Sequence, residues 1–203
     1  MMRWILAALF LGVLAGYLNN NFGVPTLNDV VSGHVFNLSL IALLFVMGWL
    51  FGADKQALTR LRRRGLKILI FPAATALGSI VGGFAGGLAL GINVFASMGV
   101  CAGYGWYTLA GPLAGQLFGL EWGALGFAVN FLRELATITT APVARKIDRY
   151  APIAMGGATA MDTTLPIIVR CCGQEALIEA FSSGFILTLI APFAITTIAS
   201  IAP

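Results

Sequence analysis

The stretch CAGYGWYTLAGPLAGQLFG at residues 101–119 decides the fold, because it is apolar enough for a membrane yet cannot form one continuous helix. Its glycines and proline interrupt helical hydrogen bonding, and polar aromatic residues lie between them. The stretch GGATAMDTTLPIIV at residues 156–169 has the same character, with threonines and an aspartate at its centre. Such backbone is tolerated at membrane depth only where protein buries it or where it lines a cavity. We therefore predict two broken segments, at 94–120 and 151–169.

The composition excludes several classes of protein. The chain has 203 residues, of which 59% are hydrophobic and 10% are charged, whereas soluble domains average about 25% charged residues. A soluble enzyme, a disordered chain and a nucleic-acid-binding module are therefore not expected. The three cysteines form no CxxC motif and His34 stands alone, so we expect neither a metal site nor a cofactor.

The remaining apolar stretches predict ordinary membrane spans, since a bilayer core needs about 20 helical residues. They cover residues 4–18, 35–53, 68–90, 122–141 (ended by Pro142) and 176–199. A signal peptide is the alternative for the first stretch, although no cleavage site precedes the asparagines that close it. We expect a single membrane domain over 1–203, with two N-terminal spans in 1–53, a basic cytoplasmic loop at 54–67 and a transport core at 68–203.

The basic residues predict the orientation. The 54–67 loop holds half of the Lys and Arg residues, so the positive-inside rule places it, and with it the N-terminus, in the cytoplasm. Residues Arg145 to Arg149 would then lie outside if 94–120 crossed the membrane completely. The conflict disappears if 94–120 enters from outside and returns, and if 151–169 does the same from the cytoplasm. This predicts an all-α integral membrane protein with about five spans, two re-entrant segments entering from opposite faces and an outside C-terminus, as in inverted-repeat transporters.

Two acidic residues are the strongest candidates for function. Glu134 lies near the middle of a span, where a carboxylate costs about 2.5–3.5 kcal/mol to insert, and Arg133 and Asn130 lie beside it. These three residues could take part in transport, or they could form a structural polar network that ties this helix to others. Asp162 lies in the second break, where it could line an ion site or act as a helix N-cap.

Further polar and glycine residues in the two breaks are candidates for lining the substrate path. Tyr104, Trp106 and Tyr107 could form an aromatic wall for a cation, or could belong to a membrane-interface belt. The predicted lining residues are Gly103, Tyr104, Gly105, Trp106, Tyr107, Thr159, Thr163 and Thr164. The GxxxG spacings Gly82/Gly86 and Gly83/Gly87 indicate helix packing.

Three blocks carry a resemblance to a known family. GYGWYTLAGPLAG, NFLRELATITTAP and GGATAMDTTLPIIVR, in that order and spacing, resemble the LysO-type lysine exporter family. The resemblance implies export of L-lysine, and of analogues such as thialysine, from the prokaryotic cytoplasm, driven by an ion gradient. In the family an acidic residue of the middle block is functionally important, and it matches Glu134.

The resemblance also implies a partner. Full-length family members carry an additional N-terminal set of spans, so the chain resembles the larger, C-terminal part of a split member. We expect a small, separately encoded membrane subunit, or a second copy of the chain, to complete it.

The leading functional hypothesis is a secondary transporter in the cell membrane that works by alternating access. Glu134 and Asp162 would attract the two ammonium groups of lysine or exchange protons for them, and half-helix N-termini would hold its carboxylate. The alternative is a pore-forming channel subunit for small cations. An intramembrane enzyme is not expected, because no Ser or Cys is paired with a His.

Overall fold

The computed structural model describes residues 2–22, 30–35 and 67–203, together with a few separate positions between 38 and 53. The chain divides into two compact units, Met1–Leu50 and Phe51–Pro203. In the first unit, helix α1 spans Met2–Phe22 and a π-helical segment spans Val30–Val35. The predicted second span and the basic loop lie largely outside the described residues.

The second unit is built from helices. They are α2 (Lys67–Leu90), α3 (Val94–Cys101), α4 (Tyr107–Phe118), α5 (Leu120–Ile147), α6 (Ala151–Gly156), a 3-10 helix (Gly157–Met161), α7 (Leu165–Cys172) and α8 (Ala176–Ser200). All regular structure in the described part of the chain is helical, which confirms the predicted all-α class. Among the described helices, two are both long and apolar enough to cross a bilayer, Leu69–Leu90 and Ala176–Ser200. The number of spans and the inverted repeat remain predictions.

Helices α2 and α3 approach each other closely through glycine. A Cβ atom at Gly83 would lie 2.8 Å from the carbonyl oxygen of Ser97, and one at Gly87 would lie 3.0 Å from the Cα atom of Val94. A Cβ at Gly82 or Gly86 would meet no atom of the described residues within 4 Å. Only the Gly83/Gly87 spacing therefore packs against a described helix.

Helix α5 is longer than its sequence predicts. We expected Pro142 to end it, but the helix continues through Pro142 to Ile147, so that expectation was wrong. A proline inside a helix removes one backbone donor, and neighbouring helices can compensate for such a loss in membrane proteins. Arg145 and Lys146 lie in the final turn, where the helix dipole favours positive charge.

Helix α8 packs against the 3-10 helix of the second break. Ser182, Ser183 and Gly184 are buried on it. A Cβ atom at Gly184 would lie 2.6 Å from the backbone nitrogen of Met161 and 2.8 Å from the carbonyl oxygen of Ala158. The absence of a side chain at Gly184 therefore lets the 3-10 helix lie directly on α8.

Candidate functional site

The first predicted break is present between α3 and α4. The helical pattern stops after Cys101 and resumes at Tyr107. Between them, Tyr104 has a φ of 52° and Gly105 a φ of 99°. Tyr104 is a non-glycine residue in the left-handed region, which costs about 1–2 kcal/mol, and its side chain is only 1% exposed. Burial of the ring holds this unfavourable turn in place.

The second predicted break is also present, and it takes the form of a 3-10 helix between two short α-helices. Helix α6 ends at Gly156, the 3-10 helix covers Gly157–Met161, and α7 begins at Leu165. Gly157 has a φ of 60°, so it makes the turn that an L side chain rarely allows.

The two breaks contact each other through their backbones. The N–H of Ala158 donates to the carbonyl oxygen of Tyr104 at 2.8 Å. A Cβ atom at Gly157 would overlap that same oxygen and would lie 2.9 Å from Nη2 of Arg133. Two segments far apart in sequence therefore meet at one point, while their entry from opposite membrane faces remains a prediction.

Asn130 on α5 satisfies backbone groups that the first break leaves free. Its Oδ1 accepts from the N–H of Gly105 at 2.7 Å, and its Nδ2 donates to the carbonyl oxygens of Val100 at 2.9 Å and Gly126 at 2.8 Å. The side chain is 1% exposed. Because a buried backbone group without a partner costs about 1–3 kcal/mol, these contacts give Asn130 a structural role.

Arg133 does the same for the second break. Its Nε and Nη2 donate to the carbonyl oxygens of Met155 at 2.9 Å and Ala154 at 2.8 Å, near the C-terminal end of α6. Its Nη1 donates to Oγ of Ser79 on α2 at 2.9 Å. The titratable groups that interact with Arg133 are Cys101 and Tyr104. Among the described residues, therefore, Arg133 does not pair with its sequence neighbour Glu134.

Glu134 lies on the buried face of α5 and is 7% exposed. The phenol of Tyr107, at the start of α4, lies close enough to interact with its carboxylate. The second oxygen, Oε2, is buried and has no hydrogen-bond partner among the described residues. A buried polar atom without a partner is rare in folded proteins and requires an explanation.

Asp162 lies just after the 3-10 helix and is exposed. Its Oδ1 accepts from the N–H of Thr163 at 2.6 Å, whereas the N-cap position of α7 is Thr164. The N-cap interpretation of Asp162 was therefore wrong by two residues. The charge of Asp162 also acts on the Tyr107 phenol, so Tyr107 lies near both candidate carboxylates.

Only some of the side chains in the predicted aromatic wall are accessible enough to line a substrate path. The Tyr104 side chain is buried, and the Tyr107 ring packs edge-on against Phe127 and Phe131 with centroids at 5.3 and 5.6 Å. Trp106 is half-buried. Tyr107 and Trp106 therefore remain as candidate lining residues, whereas the Tyr104 ring belongs to the protein interior.

The predicted threonines and glycines of the breaks divide between interior and surface. Thr159 and Thr164 are buried, and their Oγ1 atoms lie 3.3 Å apart. The Oγ1 of Thr159 also donates to the carbonyl oxygen of Gly156 at 2.9 Å. Thr163 is exposed, and Gly103 and Gly105 are buried. Thr159 and Thr164 therefore hold the second break together, and Thr163 stays accessible.

A cavity that the sequence did not reveal lies between α2, α5 and α6. Its volume is about 550 Å³, and its lining includes Thr75, Ser79, Arg133, Thr137 and Met155. Thr75 and Ser79 carry no distinctive signal in an apolar span, whereas Arg133 and Thr137 stand out as polar residues near the centre of theirs. Within the described residues, no group of three metal-ligand side chains is present.

Comparison with known families gives a match over almost the whole chain. The family model described as Lysine exporter LysO matches residues 6–199. No solved structure matches the chain significantly.

Two relatives named as lysine exporters are similar to the chain. The lysine exporter LysO of Escherichia coli (strain K12) is 31% identical over 159 residues, which is 77% of this chain and 52% of that protein. A provisionally named lysine exporter of Haemophilus influenzae (strain ATCC 51907 / DSM 11121 / KW20 / Rd) is 26% identical over 200 residues, 94% of each chain. The chain thus spans about half the length of the first relative and nearly all of the second.

Proposed function

The chain belongs to the lysine exporter LysO family, and on that premise we propose that it exports L-lysine from the cytoplasm as a secondary transporter in the cell membrane. The observation that carries the proposal beyond the family is the buried carboxylate of Glu134, whose Oε2 has no hydrogen-bond partner among the described residues. A mid-helix carboxylate in a membrane protein is a functional site by default.

Glu134 is the coupling residue in this proposal. A cation would supply the missing partner of Oε2, either as a proton or as an ammonium group of the substrate. The Tyr107 phenol lies near the carboxylate and interacts with it, so we assign Tyr107 to the same site as a neighbour of Glu134. Exchange of a proton for a cationic substrate at one carboxylate is how an ion gradient would drive lysine outward.

Asp162 supplies the second negative charge. It is exposed and interacts with the same Tyr107 phenol, so it can attract a cationic side chain toward the two breaks. Alternating access would then be a movement of the two breaks about their backbone contact. Analogues with the same charge pattern, such as thialysine, fit the same arrangement.

The orientation and the assembly are also part of the proposal. The N-terminus is cytoplasmic and the C-terminus lies outside, because the basic residues follow the positive-inside rule. The polar residues Asp162 and Thr163 stay exposed at the second break and need cover from lipid, and we assign this cover to a small membrane subunit or to a second copy of the chain.

Flux measurements in proteoliposomes test the function. We expect uptake of lysine into vesicles that hold the chain in the inverted orientation, and we expect a proton gradient to drive lysine against its concentration gradient. Lysine movement that only follows its own gradient, at rates typical of a pore, would support the channel alternative. No lysine movement in the reconstituted assembly would contradict the proposal.

A further inference from the structure

The cavity beside Arg133 has the properties of a small-molecule site. Its volume of about 550 Å³ falls within the range of about 300–1,000 Å³ that such sites occupy. Most of its lining is apolar, with Arg133 as its charged group. Arg133, Ala136 and Thr137 of α5 line it, whereas Glu134 does not.

Arg133 retains the capacity to bind an anion there. A guanidinium has five N–H donors, and three protein acceptors are the oxygens of Ala154, Met155 and Ser79. In the 67–203 part of the chain, no carboxylate forms an ion pair with Arg133. The guanidinium is thus held in place by neutral oxygens while its positive charge stays uncompensated.

We propose that this cavity binds the carboxylate group of the amino-acid substrate, with Arg133 as its anchor. This inference rests on the proposed function, since it names where one end of the exported molecule binds. Arginine suits a carboxylate because its planar donors can form two parallel hydrogen bonds. The largely apolar lining beside the guanidinium accommodates an aliphatic chain.

The half-helix N-termini are weaker candidates for the same task. At the start of α4, the N–H groups of Tyr107 and Leu109 already donate to the carbonyl oxygens of Gly105 and Trp106. At the start of α7, the N–H of Leu165 donates to Asp162. These N–H groups already have acceptors within the breaks. The guanidinium of Arg133, in contrast, has no anionic partner among the described residues.

Two glycines on α2 provide a test that leaves Arg133 and its contacts intact. Gly78 lines the cavity, and a Cβ atom there would meet no described residue within 4 Å. Gly82, one turn further on, also has no described residue near its Cβ position and does not line the cavity. Gly78→Leu should fill the cavity, and Gly82→Leu is its matched control.

The binding experiment uses norleucine, which has a carboxylate and an aliphatic chain, and pentylamine, which lacks the carboxylate. We expect norleucine to raise the melting temperature of the parent protein in detergent, and pentylamine to give no such increase. In Gly78→Leu, the norleucine concentration that gives half of the increase in melting temperature should rise roughly tenfold or more. In Gly82→Leu this concentration should stay near the parent value. No norleucine effect on the parent, or equal effects on both variants, would overturn the proposal.

The transport experiment separates this inference from the proposed function. Gly78→Leu should raise the KM for lysine while Gly82→Leu leaves it near the parent value. If the parent transports lysine and Gly78→Leu has an unchanged KM, the carboxylate site is wrong and the exporter stands. If the parent does not transport lysine but norleucine still protects it selectively, the exporter proposal fails and the anionic site remains.

Discussion

The backbone N–H of Ala158 donates a 2.8 Å hydrogen bond to the carbonyl oxygen of Tyr104, and this bond joins the two helix breaks. Both breaks contain a residue with positive φ at the contact, Tyr104 at 52° and Gly157 at 60°. Arg133 and Asn130 on α5 then bind the freed backbone groups of the two breaks. The central contact is thus held by one helix that also carries the buried Glu134.

Replacement of Gly157 tests this contact. A Cβ atom there would overlap the Tyr104 carbonyl oxygen and would place an L side chain at a φ of 60°. We expect Gly157→Ala to destabilise the protein by more than about 1 kcal/mol and to lower its melting temperature. Gly82→Ala is the control, because its Cβ would meet nothing within 4 Å in the part of the chain that the structure describes and alanine favours a helix. Equal melting of the two variants would contradict the importance of the contact.

Replacement of Glu134 tests the coupling site. Glu134→Gln keeps the size and hydrogen-bonding capacity of the side chain but removes its charge and its exchangeable proton. We expect it to abolish lysine export in proteoliposomes while the melting temperature stays near that of the parent. Glu121→Gln, in the exposed first turn of the same helix, should export normally. Normal flux in Glu134→Gln would remove Glu134 from the mechanism.

Cysteine labelling tests the orientation of α5. The helix has 28 residues and so measures about 42 Å at about 1.5 Å per residue, enough to cross a bilayer. Leu120 is 89% exposed at its start and Ile147 is 85% exposed at its end. In a background without Cys101, Cys171 and Cys172, we expect Ile147→Cys to react only from the cytoplasm and Leu120→Cys only from outside. Reaction of position 147 from outside would show that 94–120 crosses the membrane completely.

The exposed pair Arg149–Glu175 predicts a small acid sensitivity. Arg149 donates a hydrogen bond to Glu175, which lowers the pKa of the Glu175 carboxyl below its ordinary value of 4.5. A lowered folded-state pKa means that the pair stabilises the protein above that ordinary value and loses its contribution as pH falls through the folded pKa.

Melting temperatures measured against pH check this. We expect Glu175→Gln to reduce the decline in melting temperature below about pH 4.5, and added salt to shrink the difference because exposed pairs are screened. An identical decline in parent and variant would show that the pair contributes nothing to stability.

The assembly is the last prediction. If a second subunit or a second copy covers the breaks, the purified chain alone should dimerise or melt at a lower temperature than the complete assembly. Mass measurement in detergent, combined with flux, decides between these states. A stable, monodisperse monomer that transports lysine would show that no partner is needed.

The sequence by itself determined that the described spans are helical and that two of the apolar segments are interrupted. Runs such as 68–90 and 176–199 are apolar over a length that matches a bilayer, and Gly105 and Gly157 mark the breaks with positive φ, because both signals depend on local backbone chemistry. The expected interruption at Pro112 was wrong, since that proline lies inside α4. It also identified Glu134 and Arg133, since charges in an apolar helix are conspicuous. Pro142 misled the prediction, because a local helix-breaking tendency is overridden when surrounding helices fix the backbone.

Only the tertiary structure decided how these residues divide their roles. Asn130 and Arg133 bind backbone oxygens and nitrogens of segments distant in sequence, and Tyr107 contacts Glu134 from another helix. The cavity near Arg133 also needs Ser79 from α2. Such contacts depend on how helices pack across long stretches of chain, and residue spacing within a single helix carries no information about which distant backbone group will lie against it.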